Sequence, residues 1–262
     1  MRRMKAIILS AGQGRRLLPM TAQTPKCTLR VQGRTLIEWQ LDALEMCGIE
    51  HITVVGGFGA AHVEALLEQR NGKARTTLCY NPFFEVADNL MTCWIAREEM
   101  TEDFVLLNGD TLFEPAVLER LLASPERAVT LATDHKPKYD ADDMKVQLSE
   151  ERLLKVGKDL PREETDGESI GLMLFREQGP ELFKESLERA ARDPDSLSQW
   201  YLSIIGQIAK SGHVWTRSIA GLGWVEIDYP LDLLRASAKV ADWRFSGKMQ
   251  ASRERDGLMM AG

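Results

Sequence analysis

Short apolar runs alternate with stretches of helical spacing through the first half of the chain. Ala6-Ile7-Ile8-Leu9 is an unbroken apolar run ahead of a glycine-rich turn, the pattern of a strand covered on both faces. Thr35 to Cys47 carries Leu36, Ile37, Trp39, Leu41, Leu44 and Met46 close to helical spacing, and Gly48 can end that helix. Ile52 to Val55 reads as the next strand, closed by Gly56-Gly57 and followed by a helix over Ala60 to Glu68. Strands are expected again at Thr76–Tyr80, Phe104–Leu107 and Ala128–Thr133, with helices at Asn89–Met100 and Glu114–Leu122. Strands alternating with helices imply βαβ units with right-handed connections and helices on both faces of the sheet.

The second half has a different rhythm. Lys145–Leu148 and Leu153–Val156 are two short strands around Ser149-Glu150-Glu151-Arg152, a hairpin pattern. Pro161 to Gly167 reads as a loop, Ser169–Phe175 as a strand, and Pro180–Ala191 and Ser198–Ser211 as helices. Strands at His213–Arg217 and Trp224–Ile227 precede a closing helix at Leu231–Val240, and Ser246 to Gly262 lacks periodicity. The expected fold is α/β: one three-layer α/β/α domain over residues 1–242 around a mixed, mostly parallel sheet, with a tail over 243–262.

Composition narrows the function classes. With 44% hydrophobic and 27% charged residues the chain is ordinary for a globular protein. A net charge of -6 argues against coating nucleic acid, which needs clustered Lys and Arg. No apolar run reaches the ~18 residues of a membrane span, and the run after Lys5 is shorter than a secretory h-region. Cys27, Cys47, Cys79 and Cys93 form no C-x-x-C pair, so each is expected to pack as a small apolar residue in a reduced, cytoplasmic compartment.

The candidate chemistry starts where the first strand ends. Leu9-Ser10-Ala11-Gly12-Gln13-Gly14-Arg15-Arg16-Leu17 is followed by Thr24-Pro25-Lys26. Glycines let backbone N–H groups approach phosphate oxygens, and Arg16 and Lys26 add a planar fork and a point charge. Leu17 stands where a dinucleotide fingerprint needs its third glycine, and no G-K-[ST] follows, so neither a Rossmann oxidoreductase motif nor a P-loop fits. Asn108-Gly109-Asp110 closes an apolar strand, which puts a carboxylate at the crevice where open α/β sheets bind ligands. In Trp224-Val225-Glu226-Ile227-Asp228, alternation places Glu226 and Asp228 on one face, where two carboxylates repel unless a cation joins them.

The string A-x-G-x-G-x-R-L with a P-K about ten residues later resembles the signature of the nucleotidyltransferase superfamily that makes NDP-sugars and CDP-alcohols. The resemblance covers roughly residues 4 to 240 and implies a Rossmann-like, nucleotide-diphospho-sugar transferase-like fold. Residues about 1–135 would form a nucleotide-binding half and 136–242 an acceptor-binding half. It implies that Leu9, Ala11, Gly12 and Gly14 contact the NTP, that Arg16 and Lys26 neutralise the triphosphate, and that Asp110 and Asp228 share one Mg²⁺. Ser10 departs from the Ala carried by many members. Tyr80-Asn81-Pro82-Phe83-Phe84 through Asn89 looks like a segment of bacterial choline-phosphate cytidylyltransferases, implying Asn81 and Asn89 near the nucleotide; Asp88 or Asn89 could equally cap a helix. Lys155-Val156-Gly157-Lys158-Asp159-Leu160 resembles inositol-phosphate cytidylyltransferases and suggests Lys158 as the acceptor's phosphate partner.

A choline-type head group would need an aromatic cage. Trp200, Tyr201 and Trp224 are candidates; Glu168 and Asp142 could attract a cation instead, with Glu226 as a further neighbour of the acceptor. The expected reaction joins CTP and phosphocholine, or a related alcohol phosphate or phosphonate, into a CDP-alcohol and pyrophosphate. Two alternatives stay open: an NDP-sugar pyrophosphorylase using UTP, dTTP or GTP, and a nucleotide-binding sensor without catalysis. His51, His62, His135 and His213 are scattered and form no catalytic set. No nucleic-acid or membrane partner is expected; a homodimer is the commonest soluble assembly.

Overall fold

The run at the start of the chain becomes a central strand because both its faces find apolar cover. In a computed structural model, which describes residues 4–243, β1 (Lys5–Ser10) sends Ala6 and Ile8 into one hydrophobic core and Ile7 and Leu9 into another. The tail expected from residue 243 lies outside the described residues, apart from Trp243.

A two-stranded ribbon, β2 (Arg30–Val31) and β3 (Arg34–Thr35), leads into α1 (Leu36–Met46). Thr35 and Glu38 close a capping box there, each satisfying the other's backbone N–H. The chain continues through β4 (His51–Gly56), α2 (Ala60–Gln69), β5 (Arg75–Tyr80), α3 (Asn89–Ile95), β6 (Phe104–Asn108), β7 (Thr111–Phe113), α4 (Pro115–Leu122) and β8 (Val129–Asp134). The hairpin β9 (Lys145–Ser149) and β10 (Arg152–Gly157) precedes β11 (Gly167–Phe175), α5 (Gly179–Ala190), α6 (Tyr201–Lys210), β12 (Val214–Ser218), β13 (Trp224–Glu226) and α7 (Pro230–Ala241).

Nine strands form the main sheet in the order β5-β4-β1-β6-β11-β8-β12-β10-β9. Following the pairings, β10 and β11 alone run against the other seven, so the sheet is mixed and mostly of one direction. The core on one face takes residues from α1, α2, α4 and α7, and the core on the other from α3, α5 and α6. The order reverses beside β1: β4 and β5 extend the sheet one way and β6 the other. That is a topological switch point, with a crevice outside the carboxyl ends of β1 and β6.

Two helices differ from the expected spans. α3 stops at Ile95, where the Ala96 N–H is shared between the Thr92 and Cys93 carbonyls, and a single 3₁₀ turn over Arg97–Glu99 follows. α6 starts at Tyr201 rather than Ser198. Residues Pro194–Ser198 form a separate 3₁₀ turn, and the carbonyls of Leu197 and Gln199 accept from the N–H groups of Asp88 and Leu90 at 2.7 and 3.3 Å. Trp200 is therefore extended and caps α6 instead of lying on it.

The small ribbon β7–β13, antiparallel with Thr111 opposite Glu226, was not expected. Its extra bond from Ile227 N–H to the Asp110 carbonyl, 3.0 Å, brings residues 110 and 228 to the same crevice.

Candidate active site

The loop after β1 opens over the end of β6. At Gly12 a side chain would meet open space, so the backbone faces the crevice. Gly14 has φ +75°, and a Cβ there would stand 2.9 Å from the Lys26 stem. The glycine thus lets Lys26 pass beneath the loop. Thr21 Oγ1 fixes the turn by donating to the Gly14 carbonyl at 2.9 Å. At Gly109 a Cβ would fall 2.3 Å from Ser10 Oγ, so only glycine lets the Asp110 segment approach β1 this closely.

Lys26 is the centre of the site. Its Nζ donates to Asp110 Oδ2 and to Asp228 Oδ1, both at 2.8 Å. Burial alone would push the Lys26 ammonium down, but Asp110 and then Asp228 overcome it and hold the group well above the usual lysine range. Arg16 donates to Asp228 Oδ2 at 3.1 Å, reaches Asp142 at 3.2 Å and lies over the Tyr229 ring. Asp142 also meets Lys158 at 3.3 Å, so this one carboxylate links the glycine-rich loop to the β10 end. Alternation holds at the last strand: Val225 and Ile227 enter the core, while Glu226 and Asp228 face the crevice. The Glu226 carboxyl is pushed above the usual glutamate range by desolvation and by its neighbours Asp110 and Asp228.

The donor set fits a divalent cation. Asp110 Oδ1 is buried and has no hydrogen-bond partner. Three carboxyl groups crowd one wall, and an extra positive charge there would relieve them. Among the described residues no group of three or more His, Cys, Asp or Glu side chains forms a closed metal cage. Mg²⁺ does not need one, because it takes one or two carboxylates and completes its shell with phosphate oxygens and water.

Two cavities meet at the loop. One of about 160 Å³ is lined by Leu9, Ser10, Gly12, Gly14, Lys26, Cys27, Gly109 and Asp110. The other, about 540 Å³, runs from Ala11, Gly12, Gln13 and Arg15 across to Phe84–Asn89, Thr92, Leu197 and Ser198. Gln13, Arg15 and Glu85 line the larger cavity although the sequence reading had not singled them out. Arg15, adjacent to Arg16 in the motif, was the one with a signal.

The remaining expected residues separate into wall, support and core. Asn89 lines the larger cavity, and its Oδ1 accepts from the Tyr201 N–H at 3.0 Å. Asp88 caps α3 through the Asn89 N–H. Asn81 is fully buried, donating to Thr92 Oγ1 at 3.1 Å and accepting from Phe83 N–H at 2.9 Å, so it braces the wall from behind. Tyr201 requires a correction: it has no exposed surface, sits in the core, and its hydroxyl donates to Asn108 Oδ1 at 3.0 Å. An aromatic ring at the start of a buried amphipathic helix finds more apolar contact inward than in a crevice. Trp200 stays partly exposed, with Lys158 Nζ 4.2 Å from its ring centre. Glu168 is buried and meets Lys136 at 2.9 Å. The four cysteines are free.

Glu168 makes a pH prediction. Burial, partly offset by Lys136, raises its carboxyl to about 7, above an unfolded glutamate near 4.3. Between those values the folded chain holds a proton that the unfolded chain has lost. The stability carried by the neutral form is therefore complete below about pH 4.3 and is lost as pH rises through about 7. Glu168→Gln, which cannot ionise, is expected to gain on the natural protein between pH 4.5 and 8, by at most about 3 kcal/mol. Urea unfolding at both pH values checks this; a pH-independent difference would contradict it.

The glycine-rich loop at the switch point, two basic residues and two facing carboxylates agree with what comparison with known proteins shows of the family. The chain belongs to the MobA-like NTP transferase domain family, whose pattern matches residues 6–193. It is 30% identical over 258 residues to the CMP-5'-(3-aminopropyl)phosphonate synthase of Streptomyces rubellomurinus, covering 95% of this chain and 40% of that protein. It is 26% identical over 232 residues to the bifunctional IPC transferase and DIPP synthase of Aquifex aeolicus, covering 88% of this chain and 50% of that one. The chain thus spans half or less of the length of these two curated relatives. The inositol-1-phosphate CTP transferase structure from T. maritima superposes with a TM-score of 0.76 at 21% identity, over 91% of this chain and 96% of that one. No helix among the described residues is long and apolar enough to cross a membrane.

Proposed function

We propose that this chain is a Mg²⁺-dependent cytidylyltransferase that transfers CMP from CTP to a small acceptor bearing a phosphate or phosphonate. The observation that carries the reading is Lys26 held at 2.8 Å by both Asp110 and Asp228 at the mouth of the glycine-rich loop. A lysine and a carboxylate pair beside a glycine-rich loop supply the positive charge and the metal ligands that phosphate transfer needs. The choice of CTP is supported by the CMP-linked product named for the Streptomyces relative.

An acceptor oxygen forms a new bond to the α-phosphorus of CTP while the bond to the bridging oxygen of the β-phosphate breaks, and pyrophosphate leaves with that electron pair. The acceptor phosphate has a second pKa near 6 and is largely dianionic at pH 7, so no general base is needed. Catalysis reduces to alignment and charge neutralisation. Lys26 exchanges its carboxylate partners for phosphate oxygens, Arg16 covers the departing pyrophosphate, and Lys158 holds the acceptor's phosphate. Asp110 and Asp228 would hold Mg²⁺, which supplies positive charge to the phosphate oxygens.

The test is pyrophosphate release with Mg²⁺, each NTP and a panel of phospho-acceptors. Release with CTP and an alcohol phosphate or phosphonate is expected. Release confined to UTP, dTTP or GTP with a sugar 1-phosphate would move the chain to the NDP-sugar branch. Folded protein that binds nucleotide yet releases nothing would be a sensor.

A further inference from the structure

The start of β11 holds a carboxylate that the chemistry above does not use. Glu168 is 4% exposed, and its Oε1 is buried without a hydrogen-bond partner. Its other oxygen meets Lys136 Nζ at 2.9 Å, but that same ammonium lies 2.8 Å from Asp143. Asp134 pairs directly across from Glu168 in the sheet. One lysine therefore serves a cluster of three acidic side chains. A buried carboxylate oxygen with nothing to accept is costly unless a ligand supplies the donor.

Its strand is joined to the segment that carries Asp110. Thr111 Oγ1 donates to the Ile170 carbonyl at 3.0 Å, which ties the Glu168 end of β11 to the segment just after Asp110. Glu168 also acts electrostatically on Glu226, which neighbours Asp110 and Asp228. A ligand whose phosphate is at the metal carboxylates needs only a short arm to reach Glu168.

Two of the three aromatic groups expected for a quaternary ammonium are committed elsewhere, and the third, Trp224, presents its polar edge to the acidic cluster. Tyr201 is in the core, Lys158 covers the Trp200 ring, and the Trp224 indole N–H donates to Asp134 Oδ2 at 2.7 Å. A trimethylammonium has no N–H to offer Glu168; a primary ammonium has three.

Resting on the cytidylyltransferase reading, we propose that Glu168, with Asp134 and Asp143 around Lys136, binds the primary ammonium of a short aminoalkyl phosphonate or phosphate and makes that class the preferred acceptor. The test is the rate of pyrophosphate release at pH 8 with CTP, Mg²⁺ and three acceptors of matched length: 2-aminoethylphosphonate, its N,N,N-trimethyl analogue and propylphosphonate. The natural protein is expected to favour the primary amine by about 10-fold or more in kcat/KM over each of the others, because they leave buried polar groups unpaired. Glu168→Gln is expected to lower kcat/KM for the amine about 10²-fold, to leave propylphosphonate within about 3-fold, and to leave the KM for CTP unchanged. Equal use of all three by the natural protein would overturn the assignment whether or not the variant folds, as would a variant that keeps the amine preference. If propylphosphonate is cytidylylated as well as the amine, this inference alone falls. If no phosphonate turns over with CTP while a sugar 1-phosphate does with another NTP, the cytidylyltransferase reading falls with it.

Discussion

Asp110→Asn is expected to lower kcat about 10³-fold at saturating substrates, roughly 4 kcal/mol of lost transition-state stabilisation. The substitution keeps the shape of the side chain and the backbone bond from Ile227 N–H to the residue 110 carbonyl, so the β7–β13 ribbon stays in place. What it removes is charge, at the atom pair where one oxygen is bonded to Lys26 and the other is buried and unsatisfied. An amide there offers one neutral oxygen to a cation. The check is single-turnover pyrophosphate release across a Mg²⁺ titration. The variant should need a higher Mg²⁺ concentration and stay slow at saturation. Activity within about 10-fold of the natural protein would remove Asp110 from the catalytic set.

Lys26→Met carries the second large effect, about 10²- to 10³-fold in kcat, and it also changes the resting protein. Without Nζ, Asp110 and Asp228 face each other with Glu226 beside them. Breaking a fully buried pair costs about 3–5 kcal/mol. The Asp110 and Asp228 side chains keep 24% and 26% of their surface, so a loss nearer 2 kcal/mol is expected here. Mg²⁺ should restore part of that stability, raising the Tm of the variant more than that of the natural protein. Lys26→Arg should not rescue turnover. The stem is pressed against Gly14, and a planar guanidinium cannot sit as a point charge between two carboxylates. Full activity in the arginine variant would sink the positional part of this account.

The strands of the parallel half were legible because burial on both faces writes itself as unbroken apolar runs. Ala6–Leu9 and Phe104–Leu107 could be little else. β7 was not legible: three residues, Thr111-Leu112-Phe113, carry no period, and the partner that makes them a strand arrives more than a hundred residues later. α6 was placed too early because Ser198, Gln199 and Trp200 continue a helical spacing. The carbonyls of Leu197 and Gln199 are instead spent holding the start of α3. Tyr201 and Trp200 are neighbours with opposite fates, a difference set by one turn of chain and invisible in composition. At the site, Gly14, Arg16, Lys26, Asp110 and Asp228 meet where the motifs suggested. Asp142 was expected only as a possible partner of the acceptor's cation; that it joins Arg16 to Lys158, and that Lys136 shares itself between Asp143 and Glu168, is visible only in three dimensions.

The family pattern ends at residue 193, yet Lys26 finds its second carboxylate 202 positions further along, at Asp228. A chain emerging from the ribosome would display the glycine-rich loop, Lys26 and Asp110 long before β13 exists to deliver the partner. Until then Lys26 has one carboxylate and the crevice has one wall. The site is thus assembled from the two ends of the described chain and is complete only when the β7–β13 ribbon has formed.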